Sequence, residues 1–310
     1  MDAEGPKKIC VAAFLCAILD QEQSHEGLAA GGSPAQKSLG GFFYFLNREN
    51  RMRKSVVRLQ VQICLLAILI VPASNPVFAA IPLITDDTGT QGKGKFQLEV
   101  AGELGHDKEE PVTNRNSDLA AALTYGATET VDMVLAIPYS SWRSDDSGSV
   151  TRESGFSDLS VEAKWRFYEE KGLSLAVKPG LTIPTGDSDR DLGNGKMTWY
   201  LYLIASKEVN PWAFHLNLAY IRNNNTGDDR DDLWHASLAT TVDVAKGLKI
   251  VGDLGVATNP EGSSDTPPAY VLGGVIYSVS ENFDAGLGLK AGLTKPEADV
   301  AVRGGITYRF

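Results

Sequence analysis

From Gly94 onward the chain alternates between apolar and polar residues with a period of two, the signature of β-strands rather than helices. The clearest stretch runs from Gly155 to Gly195. Leu159, Val161, Ala163, Trp165 and Phe167 share one face, while Ser160, Glu162, Lys164 and Arg166 share the other. After a polar turn at 169–172, Leu173, Leu175, Val177, Leu181 and Ile183 alternate with Ser174, Lys178 and Thr182. The second face is charged and must meet water, so the pair fits either a soluble sandwich or a membrane barrel with a wet interior. The same alternation recurs at 96–104, 119–125, 131–140, 198–206, 212–220, 234–243, 248–257, 269–278, 283–293 and 300–310, which predicts twelve strands.

Each predicted strand approaches the roughly 9 to 11 residues that a tilted strand needs to cross a bilayer. Connections near Ala127, Glu170, Glu208, Ala245 and Glu281 are short, whereas those at 107–117, 141–155, 185–195, 223–232, 259–267 and 294–299 are mostly longer. Short periplasmic turns and longer external loops characterise outer-membrane barrels. Two aromatic girdles are expected, with Phe96, Tyr125, Phe167, Trp212 and Phe283 on the short-turn side and Tyr139, Trp142, Tyr220, Trp234 and Tyr270 on the other. The expected fold is therefore all-β: a closed, antiparallel transmembrane barrel of about 12 strands with both termini periplasmic. Pro138 and Pro179 each remove a ladder donor and are expected at bulges or strand ends.

Composition adds the export route. All three cysteines lie in the first 64 residues, leaving the strand-forming part without a disulfide or cysteine metal site. The basic stretch 51–58, the apolar run Ile63 to Val71 and Val77-Phe78-Ala79 form the three parts of a signal peptide over 52–80, with cleavage near Ala79 or Ala80. Residues 1–51 fit nothing downstream and read as an upstream extension, non-native or disordered, with Met52 the expected start. The net charge of −10 gives no footing for nucleic acid.

Three segments carry a family resemblance: Pro82 to Phe96 (PLITDDTGTQGKGKF), Gly155 to Phe167 (GFSDLSVEAKWRF) and Gly180 to Asp187 (GLTIPTGD), together with the terminal Tyr308-Arg309-Phe310. The chain resembles a bacterial outer-membrane family named for the MetA pathway of phenol degradation. The resemblance implies a barrel that passes small aromatic or hydrophobic compounds, and it brings no catalytic residues. Tyr308 and Phe310 look like the C-terminal signal by which the barrel-insertion machinery recognises its substrates. The expected partners are thus outer-membrane lipid, that machinery and a small solute, with no cofactor.

The residues expected to line the lumen are Glu99, Glu103, Asp132, Glu162, Lys164, Arg166, Lys178, His215, His235, Asp243, Lys249, Asp253, Asp284, Lys290, Arg303 and Arg309. The phase of 198–206 stays open; with Tyr200 and Tyr202 inward, two phenol rings would join the lining. Turn positions predict Glu162 opposite Lys178, Asp243 opposite Lys249, Asp284 opposite Arg309, and Lys290 against Arg303, the last pair needing Glu99 or Glu103. Such bridges would narrow the passage. His215 and His235 share the inward face with Asp243 and Ser237, unlike a lipase that presents its catalytic groups to lipid, so a non-enzymatic channel or transporter is expected. The alternative is a non-transporting barrel, either a lipase or a scaffold. Asp187, Asp189 and Asp191 imitate a calcium loop, but Leu192 and Thr198 occupy its glycine and glutamate positions.

Overall fold

A computed structural model describes residues 81–310; the expected signal peptide, the cysteines and the expected Met52 start lie outside the described residues. The strands are β1 (Phe96–Glu109), β2 (Val112–Gly126), β3 (Val131–Asp146), β4 (Ser149–Phe156), β5 (Leu159–Glu170), β6 (Leu173–Ile183), β7 (Thr198–Val209), β8 (Trp212–Arg222), β9 (Asp232–Ala245), β10 (Leu248–Ala257), β11 (Ala269–Ser280), β12 (Phe283–Gly292) and β13 (Val300–Arg309). All pair antiparallel. β5 pairs with the lower part of β3 (Val131 to Ala136) and β4 with its upper part (Tyr139 to Asp146), so β4 and β5 occupy one place in the wall. The wall is thus a closed twelve-stranded barrel, with β1 joined to β13 from Gln97↔Arg309 to His106↔Val300. At the seam, Phe96 and Phe310 exchange backbone hydrogen bonds of 2.8 and 2.9 Å.

The strand faces follow the alternation. Leu104, Leu135, Trp165, Leu203, Leu218, Leu254 and Leu289 all stand exposed on the outside of the wall. A soluble protein rarely exposes a contiguous apolar patch larger than a few hundred Å². This band encircles the barrel, which makes it lipid-facing. Aromatic pairs mark its edges: Phe96 with Tyr125 (4.9 Å) and Phe310 (5.6 Å) near the short turns, and Tyr139 with Phe156 (5.4 Å) and Tyr220 with Trp234 (5.0 Å) near the long connections. Trp142, on the inward face of β3 with its indole N–H donating to the Arg190 carbonyl at 3.3 Å, is a correction to the girdle, and so is Tyr270. It is only 6% exposed and its hydroxyl donates to Asp253 inside the barrel.

Two expected loops are also corrected. Residues 107–117 and 141–155 are mostly strand, because β1 and β2 continue to a tight turn at Glu110-Pro111, and β3 and β4 to one at Ser147-Gly148. Stretches such as Thr113-Asn114-Arg115-Asn116 lack apolar alternation because both faces of a hairpin rising above the bilayer meet water. The prolines fall at gaps in the ladder. Pro138 lies where β3 changes partner from β5 to β4, its carbonyl accepting from Ser157 N–H at 3.0 Å. Pro179 lies between the pairs Glu162↔Gly180 and Trp165↔Val177 of the β5–β6 ladder.

Candidate functional site: a lumen filled by residues 81–92

The barrel interior is occupied by the chain's own segment preceding β1. Ile81, Leu83, Thr85, Asp87, Thr88, Thr90 and Gln91 are all buried, although none belongs to a strand. The segment is held in three ways. Its apolar start packs on the β9–β11 wall, where Leu83 joins Ala239, Val251, Tyr270, Leu272 and Ile276. Before that, Ile81 and Pro82 lie on bare backbone: a Cβ on Gly286 would fall 1.7 Å from the Ile81 carbonyl oxygen, and one on Gly288 would fall 2.8 Å from the Pro82 ring. Only glycine permits this approach.

Beyond Leu83 the anchoring becomes polar. Asp253 accepts from the N–H groups of Ile84 (2.7 Å) and Thr85 (2.8 Å) and from the Thr85 hydroxyl (2.6 Å). Asn217 donates to the Asp86 carbonyl at 2.7 Å and accepts its N–H at 2.8 Å. The Asp86 carboxylate sits between Lys164 (2.8 Å) and Lys178 (2.9 Å), and Lys164 also donates to the Asp87 carbonyl at 3.0 Å. Further along, Thr88 N–H donates to Ser206 (3.2 Å) and Gln91 N–H to the Asp132 carboxylate (3.0 Å), after which the chain turns into β1. Buried backbone outside a sheet must find partners, and here inward side chains of β3, β7, β8 and β10 supply them.

The other inward residues form bridges around this plug. Glu162 accepts from the Tyr200 hydroxyl (2.7 Å) and pairs with Lys178 (3.3 Å). Tyr200 and Tyr202 both point inward, the first ring lying over Gly180 and the second 5.2 Å from the Lys178 ammonium. Glu103 bridges Lys290 and Arg303; Lys290 also meets Glu297 at 2.9 Å. Glu99 accepts from Thr307 at 3.4 Å. Arg309 contacts Asp284 (2.7 Å) and Gln97 (3.1 Å), Lys249 contacts Asp243 (3.5 Å), and Arg166 contacts Glu169 (3.3 Å). His215 Nδ1 lies 2.9 Å from Ser206 Oγ, and His235 stands 6.2 Å from the Tyr202 ring. His215 and His235 are on separate strands and neither contacts Asp243, whose partner is Lys249.

Three of the expected registers are corrected. Glu162 lies opposite Gly180, not Lys178; Asp284 lies opposite Thr307, not Arg309; and Lys290 and Arg303 face Ala301 and Gly288, not each other. A bulge between Arg166 and Tyr168 and a turn moved to Lys171-Gly172 displace the first pair by two residues. A shift of two leaves every side chain on the same face, so the pairs still meet along the diagonal. Asp243 does lie opposite Lys249.

Cavities flank the plug. One of about 530 Å³ opens at the short turns and is lined by Leu83, Asp87, His215, Asp243, Lys249 and Asp284; another of about 280 Å³ lies against β1–β5, between Ile84, Glu99, Ala122, Val134 and Lys164. The arrangement can hold a solute on either side of the plug and can pass one only as far as the plug allows.

Residues 82–310 match the family described as "Putative MetA-pathway of phenol degradation". The chain belongs to this family. No curated protein sequence matches it. In fold this family member is similar to the COG4313 outer membrane channel from Pseudomonas putida F1, at 15% identity over 78% of this chain and 100% of that one, with a TM-score of 0.60. It also aligns with the KdgM porin at 10% identity over 69% of this chain and 99% of that one, with a TM-score of 0.47. These identities speak to the barrel alone. The matched range takes in the plug segment from Pro82 onward.

Proposed function

We propose that this family member is a passive outer-membrane channel for small aromatic or hydrophobic molecules, its passage throttled by residues 81–92. The observation that carries this reading is the plug itself, held mainly by side-chain contacts and flanked by cavities of about 530 and 280 Å³. Volumes of this order suit small organic solutes. The family description and the neighbouring channel from Pseudomonas putida F1 support the same direction. Tyr200 and Tyr202, with a 5.8 Å edge-on contact, give the lumen an aromatic wall for such solutes. No catalytic role is proposed for Ser206 and His215, because the serine hydroxyl is already engaged by Thr88 of the plug.

The orientation belongs to the same proposal: short turns and both ends of the mature chain in the periplasm, longer connections outside, after signal cleavage near Ala79 or Ala80. Tyr308 and Phe310, stacked at 5.6 Å beside the seam, serve as the signal to the insertion machinery. Planar-bilayer recording tests the channel. The intact protein should show low conductance, and a variant lacking 81–92 should show conductance several-fold higher with uptake of benzoate exceeding that of glucose. Equal conductance with and without the segment would remove the throttle, and no conductance from either would remove the channel. Cysteines at Asp229 and Glu170 should label from outside and inside respectively.

A further inference from the structure

Above the lipid-facing band, three arginines stand side by side on neighbouring strands. Arg115 of β2 faces Arg143 of β3, which faces Arg152 of β4. All are exposed and share the outer face of Leu119, Tyr139 and Phe156, which lie in register with one another four residues lower along the strands. Like charges placed directly opposite across a sheet repel. A row of three therefore requires a counter-charge, and the protein supplies little. Among the described residues, only Arg143 has an acidic partner, Asp145 at 3.7 Å. Four other basic groups near the long connections are neutralised closely: Arg222 by Asp231 (2.8 Å), Arg230 by Asp265 (2.6 Å), Arg190 by Glu153 (2.6 Å) and Lys295 by Glu109 (2.6 Å).

The position of the row indicates what neutralises it. Tyr139 and Phe156, in edge-on contact at 5.4 Å, mark the upper edge of the apolar band. Four residues of strand rise about 13 Å, or roughly 10 Å in height at the usual barrel tilt, which is headgroup level. Between the two lies a row of hydroxyls, Ser117, Ser141 and Ser154, in register with one another. Read upward, the outer face of β2–β4 offers apolar side chains to acyl chains, hydroxyls to sugar and guanidinium groups to phosphate. Guanidinium binds phosphate through two parallel hydrogen bonds, a geometry that ammonium lacks.

We infer that Arg115, Arg143 and Arg152 form a binding site on the barrel's outer face for the phosphorylated sugar headgroup of an outer-leaflet glycolipid. The inference rests on the orientation proposed above, which puts the β3–β4 hairpin outside the cell. The site explains why β3 and β4 continue as paired strands beyond the membrane: the ladder holds three arginines at fixed spacing where a loop would let them separate.

The test is titration of the detergent-purified protein with bisphosphoryl lipid A, read by native mass spectrometry. Replacing all three residues (R115Q, R143Q and R152Q together) should weaken binding roughly a hundredfold, and the corresponding lysine variant should fall between. Wild-type protein should discriminate against dephosphorylated lipid A by a similar factor, a measurement that needs no variant to fold. Equal binding of the two lipids, or undiminished binding by the glutamine variant, overturns the site. A cysteine at Asp146 separates the two layers of the argument. Labelling from outside intact cells, with lipid binding undiminished when the three glutamine substitutions are added, overturns the site alone, whereas labelling only from the periplasm overturns the orientation and the site together.

Discussion

The plug is fastened to two sides of the barrel by opposite physical means. On β5 and β6, Asp86 is gripped by Lys164 and Lys178, three charged groups whose side chains are each no more than 16% exposed. On β11–β13, Ile81 and Pro82 lie where side chains are missing, over Gly274, Gly286 and Gly288. The first anchorage is directional and depends on charges that would be costly to bury alone. The second is a matter of shape, made by removing atoms from the wall. The difference teaches that the segment can be loosened either by unbalancing charge or by filling space, and that the two routes act on different ends of it.

The largest effect is expected from Asp86→Ala, which leaves two buried ammonium groups facing each other across an empty site. Breaking such a buried pair costs about 3 to 5 kcal/mol. Single-channel recordings of this variant should show frequent opening to the conductance of the form lacking 81–92. A second change, Lys164→Met in the same chain, should restore the low conductance, since Lys178 keeps Glu162 as its partner at 3.3 Å and it is the uncompensated charge that expels the segment.

Gly286→Ala should come next. A methyl group there overlaps the Ile81 carbonyl oxygen, and overpacking of this kind costs about 1 to 3 kcal/mol. Because the methyl group acts on the plug, heat-modifiable migration of the barrel should be unchanged while conductance rises. A barrel that no longer migrates as folded would mean that the glycine serves the wall instead. Asp253→Asn should have the smallest effect, about 1 to 2 kcal/mol, because an amide oxygen in the place of Oδ2 can still accept the N–H groups of both Ile84 and Thr85. Its measure is a shorter closed dwell time with unaltered open conductance.

The barrel was legible in the sequence because a period of two survives errors of register. Pairing Glu162 with Lys178 mistook the partner by two residues, yet such a slip returns each side chain to its own face, and the ion pair forms along the diagonal at 3.3 Å. The strand ends were less legible, since Asn114, Asn116 and Ser144 lie in hairpins wet on both faces and carry no alternation. In β7, Trp199 competes with Tyr200 and Leu203 with Ile204, two faces of equal size. The phase is decided by what lies opposite: Gly180, which makes room for the Tyr200 ring, and Glu162, which receives its hydroxyl.

The plug was not legible as one, although its residues were read. Ile81 to Gln91 have no period, and their hydrogen-bond partners, Asp253 among them, lie as many as 169 residues away. One signal was available: an aperiodic stretch with an apolar head and a pair of aspartates, standing ahead of the first strand where an exported barrel could begin directly with Phe96. The inward lysines of β5 and β6, with Glu162 as the carboxylate of those strands that pairs with Lys178, were its electrostatic counterpart.

Phe96 is both the end of the plug's leash and the first rung of the seam with β13, separated from its partner Phe310 by the whole length of the barrel. Every other pairing joins strands that are neighbours in sequence or, for β3 and β5, are separated by β4 alone, so this one carries the greatest loop-closure entropy and is the slowest to zip. Until it does, the wall is an open curved sheet, and a segment tethered to its free edge can be laid against the inner surface from the side. The plug therefore never has to be threaded through a finished pore. Assembly wraps the barrel around it, much as a cooper sets the last stave once the contents are already in place.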